Sequence, residues 1–249
     1  MKNTTQKNKK LPKILVGCPT FDGKNYCFKE WIENIREFTY PNFEIFLADN
    51  SDTVENSKMY HEKYGVNCKW ITNQSNNGSH TKRITDGHNA VRKYFLDNDF
   101  DFLLHLESDI FPPKDIINRL LAHNKQVVGA TYYLYDDDER QLMVRILDND
   151  YVKETALIHG DNIEEELNGE LHSVWSVGLG CTLIHKSVVE KVKFRNEISH
   201  RYKTLLFCDT TWAKDVRDKG IFLYWDSSVC CKHLNKGWIQ YGDKFMNKL

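Results

Sequence analysis

Two acidic residues at alternate positions end the most apolar segment of the chain. The stretch LLHLESDIFPP, residues 103–113, carries Glu107 and Asp109 on either side of Ser108. In an extended segment, side chains two positions apart point to the same face, so these carboxylates repel each other unless a cation lies between them. Mg²⁺ and Mn²⁺ prefer oxygen ligands and commonly take one or two carboxylates. The spacing alone leaves two interpretations open: a metal site, or an acidic turn that stabilises the start of the next helix.

The first half of the chain alternates between strand-like and helix-like segments. Apolar strands are predicted at 13–21, 43–52, 68–72 and 100–107, with helical periodicity at 28–38, 53–63 and 81–97 and a loop at 73–80. This alternation predicts an α/β fold with a mostly parallel sheet and helices on both faces. Ligands in such sheets bind beyond the carboxyl ends of the strands. The same rim is therefore expected to hold Pro19 and Thr20, Asp49, and the triplet 107–109.

The second half has a less regular pattern. Helices are predicted at 113–123, 186–193 and 208–220, and strands at 126–134, 174–184, 221–226 and 229–234, with a hairpin and an acidic loop over 141–172. Gly178 and Gly180 alternate within one predicted strand, which indicates space cleared for a ligand or a neighbouring backbone. The adjacent acids at 136–139 splay in several directions and are interpreted as a solvated turn. Residues 1–10 are interpreted as a disordered basic tail, 11–234 as a single domain and 235–249 as a C-terminal tail.

Charge and composition exclude several function classes. The 34 basic and 35 acidic residues nearly cancel, so no overall field attracts nucleic acid, and no nucleic-acid partner is expected. No apolar stretch approaches the roughly 20 residues that span a bilayer. The seven cysteines are odd in number and form no CxxC pair, which favours free thiols in a reducing, cytoplasmic compartment.

Taken in order, several segments resemble the GT-A-type nucleotide-sugar glycosyltransferases, which carry a DxD-like triplet after a central strand. ILVGCPTF resembles their first nucleotide-binding strand, and LADNSDT resembles the end of the second. FDFLLHLESDIFPPKDIINRLL resembles the triplet strand and its following helix, and SVGLGCTLIHKSVVEKV resembles the segment facing the acceptor. FCDTTWAKDVRDKGIFLYWD and the later CKH resemble the late acidic helix and the closing histidine. The resemblance covers roughly residues 13–234 and implies a Rossmann-like GT-A fold forming one catalytic domain.

The resemblance implies a divalent cofactor, Mn²⁺ or Mg²⁺, and ligands for it. Asp109 would bind the metal directly, and Glu107 would bind it through water or contact the ribose. His233 would be a further metal ligand, contributed from the far end of the chain. The triplet here is Glu-Ser-Asp, one methylene longer at its first position than Asp-x-Asp. Without the resemblance, His233 is equally interpreted as a surface histidine.

The resemblance also implies a nucleotide-sugar donor, UDP- or GDP-linked, and a glycan or similar acceptor with a free hydroxyl. Pro19 and Thr20 would border the nucleoside together with Ser108. Asp49 would accept a hydrogen bond from the base or ribose, and Arg83 would neutralise a phosphate or hold the base. The residue types alone leave two alternatives open: Asp49 as part of a turn, and Arg83 as a solvated helix residue.

Asp209 is the candidate general base, which would deprotonate the acceptor hydroxyl for in-line attack with inversion. The late helix of this family often opens with Glu-Asp, whereas here Cys208 precedes Asp209. The alternative role for Asp209 is to cap the helix that follows it. Two other function classes stay open at this level. One is a sugar nucleotidyltransferase, although GCPTFDG does not resemble its Gly-rich loop; the other is a non-catalytic binding module on a transferase fold.

Overall fold

The computed structural model describes residues 11–71, 80–136, 139–147, 155–159, 167–198 and 205–234. Within these ranges the helices are α1 (Phe28–Arg36), α2 (Glu55–Tyr64), α3 (His80–Asp97), α4 (Ile116–Ala122), α5 (Lys186–Lys191) and α6 (Cys208–Asp218). The first eight strands are β1 (Ile14–Thr20), β2 (Phe43–Asp49), β3 (Asn67–Trp70), β4 (Phe102–Leu106), β5 (Ile110–Phe111), β6 (Val127–Thr131), β7 (Tyr133–Asp136) and β8 (Glu139–Leu147). The others are β9 (Thr155–His159), β10 (Leu171–Val174), β11 (Ser176–Val177), β12 (Cys181–His185), β13 (Glu197–Ile198), β14 (Leu205–Leu206), β15 (Leu223–Cys230) and β16 (Lys232–His233). The predicted tails, residues 73–79 of the predicted loop and the predicted acidic loop around 164–166 lie outside the described residues.

One large sheet forms the centre of the molecule. Its eight strands run in the order β10-β15-β6-β12-β4-β1-β2-β3. Strands β3, β2, β1 and β4 are parallel neighbours, and β6 and β15 form another parallel pair. Between these two groups, β12 runs antiparallel to both β4 and β6. The predicted mostly parallel sheet flanked by helices is confirmed.

Two apolar layers cover the two faces of this sheet. Successive residues of β1 belong to opposite layers, since Leu15 packs in one and Ile14 and Val16 pack in the other. Helix α1 buries Phe28, Trp31, Ile32 and Ile35 in the second layer, at the spacing of one helix face. Helices α2 and α4 lie on that side, whereas α3, α5 and α6 contribute to the first layer. Helices therefore cover both faces, as the alternating pattern predicts.

The predicted strand over 174–184 is three separate strands, β10, β11 and β12. The break at Gly178 to Gly180 accommodates the ring of Tyr132. A Cβ atom on Gly178 would lie 2.0 Å from the Tyr132 hydroxyl oxygen, and one on Gly180 would lie 2.5 Å from Cζ. The Gly180 N–H donates to that hydroxyl at 3.0 Å. On this side the cleared space is therefore filled by the Tyr132 side chain rather than by a neighbouring backbone.

Close packing also places the first turns of α3 at the strand rim. A Cβ atom on Gly87 would lie 2.7 Å from the Cβ atom of Pro19, at the end of β1. Glycine at this position lets the helix approach the strand end closely, so that side chains of α3 reach the rim. No helix in the described ranges is both long and apolar enough to cross a membrane.

Candidate active site

A cavity of about 580 Å³ opens at the carboxyl ends of β1, β2 and β4. These three strand ends lie side by side because β1 pairs with both β2 and β4, with Thr20 opposite Asp49. The cavity is lined by Pro19, Thr20, Phe21, Asp22, Lys24, Asn50, Ser51, Asp52, Arg83, Ile84, His88, Glu107 and Ser108. Five of the sequence-predicted nucleotide residues therefore border one space: Pro19, Thr20, Arg83, Glu107 and Ser108.

Asp109 is fully buried beside this cavity and forms contacts with two cationic or potentially cationic groups. Its Oδ2 atom forms an ion pair with Lys24 Nζ and lies 3.4 Å from His233 Nε2. Its other carboxylate oxygen, Oδ1, is buried with no hydrogen-bond partner among the described residues. A buried acceptor atom left without a partner is costly, so this oxygen is suited to bind a ligand or a cation.

A short pair of strands brings His233 to Asp109. Strand β16 pairs antiparallel with β5, so that His233 is opposite Ile110, the residue after Asp109. The Leu234 N–H donates to the Asp109 carbonyl oxygen at 2.8 Å and extends this pairing. His233 Nδ1 lies 2.7 Å from the Tyr133 carbonyl oxygen, which can only accept, so Nδ1 carries a proton. In a neutral ring, Nε2 therefore keeps its lone pair and points toward Asp109.

Mutual electrostatics shift the pKa values of these groups. Burial and the charge of Asp109 raise the pKa of Glu107 to about 7. Burial also raises the pKa of Asp109, but the hydrogen bonds and charges of His233 and Lys24 outweigh it and hold that pKa below the usual range. Burial lowers the pKa of His233, and the hydrogen bond and charge of Asp109 more than compensate, so the net direction is upward.

The chemistry of this donor set fits a divalent cation. No group of three or more His, Cys, Asp or Glu side chains in the described ranges has metal-site geometry as it stands. Hard cations such as Mg²⁺ need few protein ligands, because water and substrate phosphates complete their shell. Adjacent ligands of a six-coordinate ion lie about 3 Å apart, close to the 3.4 Å between Asp109 Oδ2 and His233 Nε2. The unpartnered Asp109 Oδ1 supplies a further oxygen donor.

Asp49 lies beneath the cavity rather than on its wall. Its Oδ1 atom accepts hydrogen bonds from the Ser51 N–H, the Ser51 hydroxyl and the Asn56 amide, at 3.0, 2.5 and 3.2 Å. The carboxylate thus makes the turn that the residue types alone allow. Its Oδ2 atom is buried without a partner among the described residues. Arg83 does line the cavity, where its Nη1 atom donates to Asp52 Oδ1 at 2.7 Å.

Asp209 lies in the first turn of α6 and borders a second, smaller cavity. This space of about 50 Å³ is lined by Met143, Arg145, Ser176, Val177, Gly178, Asp209 and Thr210. Asp209 Oδ1 accepts a hydrogen bond from the Thr210 N–H at 2.6 Å. The segment from Gly178 to Gly180 contacts residues of both cavities. Gly178 lines the smaller cavity, and the Gly180 carbonyl oxygen accepts a hydrogen bond at 2.9 Å from the N–H of Glu107, which lines the larger one. Asp209 is also close enough for its charge to raise the pKa of Glu107.

A buried histidine pair forms part of the site and is not evident from the sequence. His105 Nδ1 hydrogen-bonds the Leu179 carbonyl oxygen, so that nitrogen carries the proton. His105 Nε2 then accepts from His88 Nδ1 at 2.9 Å. Burial lowers the pKa of His105 to about 4, and burial and the nearby His105 lower the pKa of His88 well below its usual value. A histidine within a helix or an apolar strand carries no local signal that it has a histidine partner.

We expect this pair to make the protein acid-labile. The unfolded chain protonates both histidines as pH falls through about 6.5, whereas the folded protein keeps His105 neutral until near pH 4. The unfolded state binds more protons in this interval, so the free energy of unfolding falls as pH decreases. The slope is up to about 1.4 kcal/mol per pH unit for each histidine. His88→Asn keeps an N–H near Nδ1 and should make the slope shallower in urea titrations at several pH values.

The control for this measurement is His61→Asn, which removes an exposed histidine of α2. It should show the wild-type dependence on pH. A His88→Asn protein with the same steep dependence as wild type would mean that the buried pair does not determine the acid response.

Known proteins resemble this chain in structure rather than in sequence. No protein-family model matches the chain, and no curated protein sequence matches it significantly. The chain is similar in structure to TarS of S. aureus, solved with UDP-GlcNAc, at a TM-score of 0.54 and 13% identity over 90% of this chain and 59% of that one. It is similar to GalNAc-T7, solved with UDP, GalNAc and Mn²⁺, at a TM-score of 0.61 and 12% identity over 92% and 45% of the two chains.

The mannosyltransferase PcManGT from Pyrobaculum calidifontis, solved with GDP-Man and Mn²⁺, is a further match. Its TM-score is 0.57 and its identity 13%, over 89% of this chain and 56% of that one. The chain thus spans about half the length of these structures, between 45% and 59%. All three are GT-A-type glycosyltransferases whose fold is matched along nearly all of this chain. The strand order, the helices on both faces and these matches agree, and the chain has the GT-A fold of the nucleotide-sugar glycosyltransferases.

Proposed function

We propose that this protein is a divalent-metal-dependent glycosyltransferase that uses a UDP- or GDP-linked sugar and a hydroxyl acceptor, with inversion at the anomeric carbon. The observation that carries the proposal is the meeting of Asp109, Glu107 and His233 beside one cavity at the strand rim. This arrangement leaves Asp109 Oδ1 buried and without a hydrogen-bond partner among the described residues. Of the solved structures with the same fold, TarS holds UDP-GlcNAc, PcManGT holds GDP-Man with Mn²⁺, and GalNAc-T7 holds UDP, GalNAc and Mn²⁺.

The larger cavity is the proposed donor site. Its volume of about 580 Å³ lies within the range of about 300–1,000 Å³ typical of small-molecule sites. Pro19 and Thr20 border the nucleoside there with Ser108, whose hydroxyl lies 3.2 Å from that of Thr20. The unpartnered Oδ2 of Asp49 is the proposed acceptor for a base N–H or a ribose hydroxyl. Arg83 contributes positive charge to the same wall.

Asp109 and His233 would hold the metal, with Glu107 bound through water or turned to the ribose. When bound, the ion would act as a Lewis acid toward the diphosphate oxygens of the leaving group. The protein groups around it have distinct tasks. Tyr133 keeps a proton on His233 Nδ1 through its carbonyl oxygen, which leaves Nε2 as the donor atom. Burial of Asp109 excludes water from the oxygen that contacts the ion.

Asp209 is the proposed general base. It borders the smaller cavity, and the Gly178 to Gly180 segment connects this cavity to Glu107 in the donor site. An acceptor placed in the smaller cavity would therefore approach the sugar from a direction different from that of the nucleotide. Attack opposite the leaving diphosphate inverts the anomeric carbon. The Asp209 carboxylate would take the proton of the acceptor hydroxyl as the new bond forms.

Donor binding is expected to raise the thermal transition of the protein in a metal-dependent way. UDP or GDP at a hundredfold excess over its Kd should stabilise the fold by about 2.7 kcal/mol. A thermal-shift panel of UDP- and GDP-linked sugars, with Mn²⁺ or with EDTA, measures this effect and identifies the donor. UMP and GMP are the matched controls, because they lack the second phosphate of the diphosphate leaving group. Shifts that are equal in Mn²⁺ and EDTA for every nucleotide would contradict metal-dependent donor binding.

Product analysis with the stabilising donor separates the function classes. A glycosyltransferase releases nucleoside diphosphate and a glycosylated acceptor, or a free sugar when water is the acceptor. A sugar nucleotidyltransferase would instead release pyrophosphate from a nucleoside triphosphate. A binding module would return the donor unchanged while still giving the thermal shift.

A further inference from the structure

Lys24 binds the carboxylate that the proposed function assigns to the metal. It ends a short 3-10 turn, Asp22–Lys24, that follows β1. Its Nζ atom pairs with Asp109 Oδ2, the same oxygen that lies 3.4 Å from His233 Nε2. The Lys24 side chain is 28% exposed, whereas that of Asp109 is fully buried. The ammonium group therefore neutralises a buried carboxylate whose other ionisable contact is His233.

An ammonium group and a divalent cation compete for this oxygen. The two positive charges would repel each other at contact distance, in a buried setting where water screens them little. Lys24 has a flexible four-carbon stem and partial exposure, so its head can move. His233 is fixed by its hydrogen bond to the Tyr133 carbonyl oxygen and by the pairing of β16 with β5. Arrival of the metal would therefore displace Lys24 rather than His233.

The displaced ammonium group of Lys24 can turn into the donor cavity. Lys24 lines this cavity, as does Arg83 of α3. Arg83 is already paired with Asp52 at 2.7 Å, which leaves Lys24 as the more available cation for a phosphate. A lysine ammonium binds phosphate as a compact point charge. The diphosphate of a donor bound to the metal would lie next to the position from which Lys24 departs.

We propose that Lys24 is a mobile cation that exchanges partners: it leaves Asp109, with which it pairs in this structure, and moves to the donor diphosphate when the metal binds. This inference rests on the proposed function, because it takes Asp109 as a metal ligand. It assigns Lys24 two opposite effects, since the side chain competes with the metal but assists the nucleotide. A lysine that only stabilises the fold would not produce effects of opposite sign.

The test measures Mn²⁺ and nucleotide binding separately in Lys24→Met, which keeps the length of the stem and removes the charge. Free Mn²⁺ is followed by electron paramagnetic resonance without nucleotide, and UDP and GDP are titrated calorimetrically in saturating Mn²⁺. We expect Mn²⁺ to bind about tenfold more tightly to the variant. The nucleoside diphosphate should bind about tenfold more weakly, because the loss of one charged hydrogen bond changes Kd by roughly this factor. Lys24→Gln, which can still donate to Asp109, is the second variant if the first does not fold.

Lys93→Met is the matched control, because it removes an exposed lysine that pairs with Asp97 on α3. Lys93 lines neither cavity. It should leave both affinities at wild-type values, which separates a local effect from the loss of one positive charge. Lys24→Arg retains a cation and is expected to keep nucleotide affinity close to wild type.

The outcomes distinguish the two levels of inference. Tighter Mn²⁺ binding with weaker diphosphate binding supports the exchange of partners. A variant that binds Mn²⁺ no more tightly than wild type, or that loses affinity for both ligands, overturns the exchange while leaving metal-dependent donor binding in place. Absence of Mn²⁺ binding in wild type and in every Lys24 variant overturns the exchange and the proposed metal dependence together, and calorimetry in EDTA then shows whether nucleotide binding remains.

Discussion

Asp109→Asn is expected to lose Mn²⁺-dependent binding of nucleoside diphosphates, with at least a hundredfold rise in Kd. The substitution keeps the shape of the side chain but removes its charge and replaces one oxygen by an amide nitrogen, which has no lone pair to offer a cation. The fold should remain, because a neutral group is less costly to bury than a charge. Lys24 can turn to solvent, and His233 can release its proton. Calorimetric titration of UDP and GDP, in Mn²⁺ and in EDTA, measures the loss, and circular dichroism verifies the fold.

Asp226→Asn provides a matched control for this variant. Asp226 is likewise a buried carboxylate beside a histidine, with its Oδ2 atom 2.7 Å from His123 Nε2. It lines neither cavity, so its removal should leave nucleotide affinity unchanged even if stability falls. Equal affinity of Asp109→Asn and wild type, with the same response to EDTA, would show that Asp109 is not the metal ligand.

Asp209→Asn is expected to bind donor normally and to lose most of its turnover. A general base typically contributes about 10²–10⁴-fold to the rate, and kcat should fall within that range. The asparagine side-chain oxygen can still accept the hydrogen bond that Thr210 N–H donates to Asp209 Oδ1 at 2.6 Å. The variant therefore separates catalysis from helix capping, whose loss would cost only about 1 kcal/mol of stability. Steady-state kinetics with the identified donor, together with a thermal melt, measures both.

Glu55→Gln is the corresponding control, because Glu55 is an exposed acid in the first turn of α2. Its kcat should equal that of wild type. Near-normal kcat in Asp209→Asn would assign Asp209 to capping alone. The stereochemistry of the product, followed by NMR, is an independent check, since a retained anomeric configuration is inconsistent with direct displacement.

Local periodicity was sufficient to predict the main elements of the fold. The buried positions of α1 recur at helical spacing, and alternate residues of β1 face opposite layers, so each element could be recognised from its own sequence. The rim position of Thr20, Asp49 and Glu107 followed because parallel strands end on one side of a sheet. The proximity of His233 to Asp109 was predicted only through the family resemblance, since no local pattern links them.

Contacts between distant segments determined the direction of β12 and the break at Gly178 to Gly180. Strand β12 enters the sheet antiparallel between β4 and β6, and a strand's own residues do not specify the direction of its neighbours. Tyr132 converts a predicted continuous strand into a turn, because its ring needs the space at Gly178 and Gly180. The effect comes from outside the segment, so the segment's own pattern does not reveal it.

The same division applies within the site. The sequence by itself determined that acids lie at the strand ends, because carboxylate spacing and strand periodicity are local properties. It did not identify Lys24 or the pair of His88 and His105 as parts of the site. A lysine after a strand and a histidine in a helix have the same local pattern whether they face solvent or a buried partner. Only the tertiary structure decided their roles, because the charge and burial that define them arise from residues that meet when the chain folds.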